Sequence, residues 1–388
     1  MLAPCSGVRL ASAEEMKAAR VPGGHVPGDS VNSRTHNGGT ISSGSPNADV
    51  EYSDPSKLPA EPLVSVFMIT YQHAPFIRQA LDSVLMQSVD FPHEICLGED
   101  GSTDGTREIC IEYARRHPDK IRLFLRNRSN PARASFKFPY MFNAASTFDA
   151  SRGKYIALLE GDDCWLHPQK LRVQVEQLES DPGAAASCHY ALAVEEGRPW
   201  LGSVTPEFAG NSFSLEAILR RDTTNVHTST WLLRRGKPME WAGFESSSFG
   251  DYPVIVWTLL NGTGRLLPHV WSLYRRHGGG VFSPLAYETR VQRTVQLWKC
   301  FKSIVPGNLQ WAADVGICRT LIMHTRELRK AGKWAEALAC CRSALAQIPG
   351  LKVPAAELGQ LRREALEAFV MPRLHGLRSR WRQRKFQR

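Results

Sequence analysis

From Leu63 the chain runs through a continuous apolar stretch of strand length, LVSVFMITY, and the following HAPFIRQALDSVLMQ spaces its apolar residues three and four apart, as one face of a helix does. This pair is a β-to-α step. HEICLGED predicts a second strand, and DGTREICIEYARRHP predicts a helix opened by Asp104 or Thr103 as cap. IRLFLRN predicts a third strand, Phe136–Ala150 a helix and KYIALLEG a fourth strand. PQKLRVQVEQLES predicts a further helix, with Pro168 at its start, where a missing N–H is no loss. Two shorter strand-like pieces follow, AAASCHYALAV and NVHTSTWLLRR, then a helix near Tyr252–Leu260 and a strand near Arg265–Arg276.

Strands alternating with helices predict the α/β class, with a mostly parallel central sheet, helices on both faces and ligands at the carboxyl ends of the strands. The texture divides the chain into four. Residues 1–61 are rich in Gly, Ser, Pro and Asn, the composition of a disordered leader. Residues 62–284 hold the α/β domain, 285–372 a C-terminal helical appendage, and 373–388 a basic tail. Within the appendage RELRKAGKWAEALACCRSALAQIPG has the look of one tetratricopeptide-like hairpin, and one hairpin is not an array, because such repeats need about three stacked neighbours.

Hydrophobic residues at 43% and charged residues at 22% exclude a chain disordered throughout and a coiled-coil rod. The longest apolar runs, such as Pro253–Leu260, are far shorter than the roughly 18–20 residues that cross a bilayer, so no span is expected. Nine cysteines without a CxxC pair predict reduced, mostly buried thiols, and the first twenty residues lack the apolar core of a secretory signal. The expected location is cytoplasmic. Of the formal charge of +10, the tail 373–388 carries seven basic residues and no acid, so the body is only weakly basic and is not expected to bind nucleic acid. The tail itself is either a solvated end or an arm for an anionic membrane surface, with Trp381 and Phe386 as anchors. The second alternative places the protein peripherally on the inner face of the cytoplasmic membrane.

The second strand stops at the acidic GEDGSTDGT, the fourth at LLEGDDCW, and a later segment with its own carboxylate reads SSSFGDYPVIVW. Carboxylates crowded at one sheet edge repel each other unless a cation lies between them, and an oxygen-only set suits Mg²⁺ or Mn²⁺ bridging to the phosphates of a nucleotide. The rival sites are missing: the sequence has no GxxxxGK[ST] loop, no GxGxxG after the first strand and no HExxH. A phosphate-loop nucleotidase, a dinucleotide-dependent dehydrogenase and a zinc protease are thereby disfavoured.

The ordered series VSVFMITYQHAPFIRQALDSVLMQ, EICLGEDGSTDGT, GKYIALLEGDDCW, HTSTWLLRR, GDYP and YRRHGGGVFS resembles the family 2 glycosyltransferases of the GT-A fold, over about residues 62–283. The resemblance implies a metal-dependent, inverting transfer from a nucleoside diphosphate sugar, UDP-linked for preference, to a hydroxyl of a glycan or lipid-linked acceptor in surface polysaccharide synthesis. It places Thr70, Tyr71 and Asp100 at the nucleotide, Asp162 and Asp163 at the metal, Mn²⁺ or Mg²⁺, and Asp251 as general base. Glu160, Arg275, Arg276 and His277 become candidates for contact with the diphosphate or the metal. Two departures from the family pattern stand out: Glu160 occupies a position often held by Asp, and NRSNPARASFKF lacks a glycine-containing loop. Two competing expectations remain open. Asp251 precedes a helix and could simply cap it, and the whole fold could be a degenerate module that holds a nucleotide sugar or glycan without turnover.

Overall fold

The computed structural model describes residues 49–138, 140–195, 198–202, 211–221, 227–244, 247–280, 285–347 and 353–370. The first half alternates strand and helix: β1 (Val50–Tyr52), β2 (Val64–Thr70), α1 (Ile77–Leu85), β3 (His93–Glu99), α2 (Thr106–Arg116), β4 (Ile121–Leu125), α3 (Tyr140–Ala150), β5 (Tyr155–Glu160), β6 (Cys164–Trp165) and α4 (Lys170–Glu179). Then come β7 (Ala184–Glu195), β8 (Arg198–Gly202), β9 (Ser212–Phe213), α5 (Leu215–Leu219), β10 (Leu232–Arg234), α6 (Asp251–Leu259) and β11 (Thr263–Arg276). Helices α7 (Tyr287–Ile304), α8 (Gln310–Lys330), α9 (Trp334–Gln347) and α10 (Ala355–Val370) follow.

The strands form one sheet in the order β1-β4-β3-β2-β5-β10-β7-β11-β6, with β8 beside β7 and β9 beside β11. Strand β2 is parallel to both β3 and β5, and its apolar run has no alternation because helices cover both faces. Its side chains still divide by period two: Val66 and Met68 join α1, α2 and α4 in one core, while Phe67 joins α6 and α7 in the other. The register sets Thr70 opposite Glu99, and Ile69 opposite Glu160, so the two acidic strand ends finish at the same sheet edge.

Two features differ from the expected pattern. NVHTSTWLLRR yields a 3₁₀ turn, Thr228–Thr230, and then only the three residues of β10, which run antiparallel to both β5 and β7. Within the segment read as a leader, Val50–Tyr52 pairs antiparallel with β4, and Asp49 accepts hydrogen bonds from Arg126 at 3.2 Å and from the Asn127 N–H at 2.8 Å. Three residues are too few for a periodicity to show. Residues 1–48 and the basic tail lie outside the described residues.

The helical region is joined to the sheet through a common core, since Leu297, Trp298 and Phe301 of α7 pack with Trp231, Phe244 and Val254. Gly316 of α8 makes the approach possible, because a Cβ there would stand 2.1 Å from both the Leu219 carbonyl oxygen and Trp298 Nε1. Trp298 Nε1 donates to that carbonyl at 2.6 Å. Among the described cysteines none forms a disulfide, and all but Cys340 are buried. Among the described residues no helix is long and apolar enough to cross a membrane.

Candidate active site

The turn after β5 lies against the end of β2. Gly161 is required there: a Cβ would meet Thr70 Oγ1 at 2.5 Å and His73 Nδ1 at 3.1 Å. The close approach lets Asp162 reach two histidines from distant parts of the chain. His277, just past β11, has Nε2 3.0 Å from Asp162 Oδ2, and His73, after β2, has Nε2 3.7 Å from the same oxygen. One ligand atom from each of the three can be chosen so that all lie within 4.8 Å of one another. Strand β6 explains the position of His277, since it pairs antiparallel with β11, setting Leu273 opposite Cys164.

The electrostatics suit a cation. Burial, then Asp162, Asp251 and Asp163, push the Glu160 carboxyl well above its usual range. Burial also raises Asp162, but the hydrogen bond with His277 and the nearby charges of His73 and His277 outweigh it, and the net shift is downward. Burial holds the His73 imidazole below its ordinary pKa, a direction that favours the neutral form, the one that ligates metals. Thr70 Oγ1, His73 Nδ1 and Asp162 Oδ1 are buried without a hydrogen-bond partner. Orphaned buried donors and acceptors around one carboxylate are what an absent ligand leaves.

Of the sequence candidates for the metal, Asp162 and His277 meet and Asp163 does not join them. Asp163 is fully buried, and its Oδ1 accepts the Arg275 N–H at 3.0 Å, an arrangement that ties the turn to β11. The group that does come together combines one carboxylate with two imidazoles, and Asp163 Oδ2 stays buried without a hydrogen-bond partner beside it. Arg275 spans the turn, with its guanidinium on the Asp162 carbonyl and on Gln79, while Arg276 pairs with Glu195 at 3.0 Å.

A cavity of about 460 Å³ opens over this edge, lined among others by Thr70, Tyr71, Asp100, Glu160, Asp162 and Asp251. Tyr71 is 38% exposed, and the Arg128 guanidinium lies 4.4 Å from its ring centre. Asp100 is gripped bidentately by Arg133, at 2.6 and 3.0 Å, with Arg128 at 3.4 Å. Burial nevertheless leaves its carboxyl above the usual range, despite both arginines. Both arginines come from NRSNPARASFKF, the segment without the expected glycine loop. Asp104 serves the helix: its Oδ1 accepts the Thr106 N–H at 3.1 Å.

Asp251 is the first residue of α6, and no side chain caps that helix. Its Oδ2 accepts from Thr228 Oγ1 at 2.7 Å, and burial raises its pKa in spite of that bond. Also on the cavity wall, next to Thr228 in the chain, His227 stacks on Tyr274 with ring centres 4.1 Å apart, and burial, then Arg276, push it down to about 4.

A largely parallel sheet with acidic strand ends converging on a donor-sized cleft defines a nucleotide-sugar transferase of the GT-A fold. The chain belongs to glycosyl transferase family 2, whose model matches residues 65–238, and it is a glycosyltransferase. It is 30% identical to the uncharacterized protein Rv1520 of Mycobacterium tuberculosis over 268 residues, 65% of this chain and 72% of that one. It is 32% identical to chondroitin synthase of Pasteurella multocida over 120 residues, 31% of this chain and 11% of that one. Among solved structures, S. aureus TarS 1-349 in complex with UDP-GlcNAc superposes with a TM-score of 0.50 at 16% identity, covering 79% of this chain and 89% of that one. At that identity the likeness is one of fold.

Proposed function

We propose that the protein transfers a sugar from a UDP-linked donor to a hydroxyl of a glycan or lipid-linked acceptor, with inversion and with a divalent cation. The observation that carries the reading is the convergence of Asp162, His73 and His277, with Asp162 and His73 on the wall of a cavity that Asp251 also lines. These three residues would hold the ion, and their two imidazoles favour Mn²⁺ over Mg²⁺. Bound there, the ion would act as a Lewis acid on the leaving diphosphate. Thr70, Tyr71 and Asp100 form the nucleotide subsite, Arg128 and Arg133 fix Asp100, and Arg275 holds the turn that carries Asp162. Asp251 takes the proton of the acceptor hydroxyl as it attacks the anomeric carbon from the face opposite the diphosphate, which is why the configuration inverts.

The choice of uridine is supported by TarS, which is described with UDP-GlcNAc, and the glycan acceptor by chondroitin synthase, a polysaccharide-making relative. The basic segment 373–388 would bring the enzyme to an anionic membrane surface carrying the acceptor.

Thermal melting with UDP- and GDP-sugars, with and without Mn²⁺ or Mg²⁺, tests the reading. A ligand at about a hundred times its Kd stabilises the fold by about 2.7 kcal/mol, a readily measured rise. The rise should need Mn²⁺ and should vanish in Asp162→Ala. A panel with no metal-dependent response would sink the proposal.

A further inference from the structure

The cavity extends beyond the sheet edge. Past Asp251 and Tyr252 its wall passes to Arg221, Trp298, Arg290 and Thr320, at the seam between the sheet and helices α7 and α8. Donor binding as proposed above makes no use of this end.

Arg221 follows α5 with a left-handed φ of 55°, a conformation that a residue other than glycine seldom adopts without a reason. Its guanidinium lies 4.9 Å from the centre of the Trp298 ring, and Nη1 donates to Thr320 Oγ1 at 3.3 Å. The Trp298 ring is in turn 5.8 Å from that of Tyr252, the residue next to Asp251. Nε of Arg221 is shielded from solvent and has no partner. Among the described residues no carboxylate lies within ion-pair distance of Arg221, and the groups that bear on its charge are Tyr252 and Tyr287. Its neighbours differ: Arg220 pairs with Glu357 at 2.7 Å, and Arg319 with the same carboxylate at 2.9 Å. A half-buried guanidinium with a shielded Nε and no carboxylate partner among the described residues is one that a ligand anion would stabilise.

We infer that this end of the cavity is an acceptor subsite for an anionic group, a carboxylate or phosphate carried near the hydroxyl to be glycosylated, with Arg221 as its fixed counter-charge and Arg290 as a second cation. The inference rests on the reading of Asp251 as the base. It makes the acceptor an acidic sugar or a phosphorylated carrier, and it gives the helical region a part in choosing it.

Calorimetric titration of the full chain with phenyl β-D-glucuronide and phenyl β-D-glucoside, each with and without UDP and Mn²⁺, tests it. Charge-assisted hydrogen bonds predict a preference for the glucuronide of about tenfold or more. In Arg221→Gln that preference should shrink to about threefold or less, while UDP affinity in Mn²⁺ stays as in the wild type. Phenyl phosphate in competition separates the two sources, since the tighter of the two anions identifies the group. Equal affinity of the wild type for glucuronide and glucoside would overturn the inference. So would a lowered melting temperature in Arg221→Gln with the preference intact, because Arg221 would then only pack. If Arg221→Gln does not fold, Arg290→Gln takes its place, and it must lower the preference at least about twofold. Failure of UDP to bind the wild type would count against the donor assignment, whereas the preference measured without UDP decides the subsite separately.

Discussion

Replacing Asp251 by Asn separates catalysis from architecture. The carboxylate accepts from Thr228 Oγ1 at 2.7 Å and is also held by the backbone N–H groups of Asp251 and Tyr252, and an amide oxygen can accept from the same donors, so the side chain should stay in place. A base typically contributes between 10² and 10⁴ in rate, which at about 1.36 kcal/mol per decade is about 2.7–5.4 kcal/mol of barrier. Stability should hold or rise, because Asp251 is one of the carboxylates that push Glu160 upward, and the substitution removes that repulsion. Burial raises the Asp251 pKa, so in the wild type the base becomes protonated at a higher pH than an ordinary Asp, and kcat/KM for the acceptor should fall on the acid side above pH 3.8. Initial rates at saturating acceptor, with the UDP Kd and the melting temperature measured on the same preparation, provide the check. A rate loss below about tenfold would refute the role of base. A large loss of UDP affinity or of melting temperature would instead assign the carboxylate to the donor site or to the start of α6.

Two further predictions concern buried charge. Lys170 is fully buried with its Nζ unpartnered, 3.8 Å from the centre of the Trp165 ring, and burial lowers its pKa well below 10.5. The unfolded chain therefore binds more protons here, wild-type stability should rise with pH in the window below 10.5, and Lys170→Met should flatten that rise while adding about 1–3 kcal/mol at neutral pH in urea denaturation. Arg133→Gln leaves the buried Asp100 without its bidentate partner and should cost about 3–5 kcal/mol, and adding Asp100→Asn should recover more than half of that loss if the ion pair is the cause.

The parallel part of the sheet was legible because each of β2 to β5 is a buried strand followed by a helix-forming segment, a local pattern. Asp162 and His277 could be picked out because both stand in motifs that match a family. His73 was missed, although a histidine three residues beyond the first strand, in the loop where strand ends converge, was the available signal. What makes it a candidate ligand is a contact across 89 residues of chain, and no periodicity encodes that. Arg128 and Arg133 were hidden for a related reason: their segment is a loop whose value lies in reaching back to Asp100. The antiparallel β10 and the edge strand β1 are three residues each, shorter than any pattern that could announce them.

The change of periodicity near residue 285 marks a border in composition that the packing does not respect. Leu297, Trp298 and Phe301 complete the core begun by Trp231, Phe244 and Val254, and Gly316 lets α8 close against Leu219. Sheet and helices should therefore melt as one cooperative unit, with amide exchange in α7 as slow as in the central strands. A fragment ending at 284 would expose that core to water and lose a wall of the cleft at the same time. Substitutions in the helices thus act on global stability and on the shape of the cleft together, and neither property can drift without moving the other.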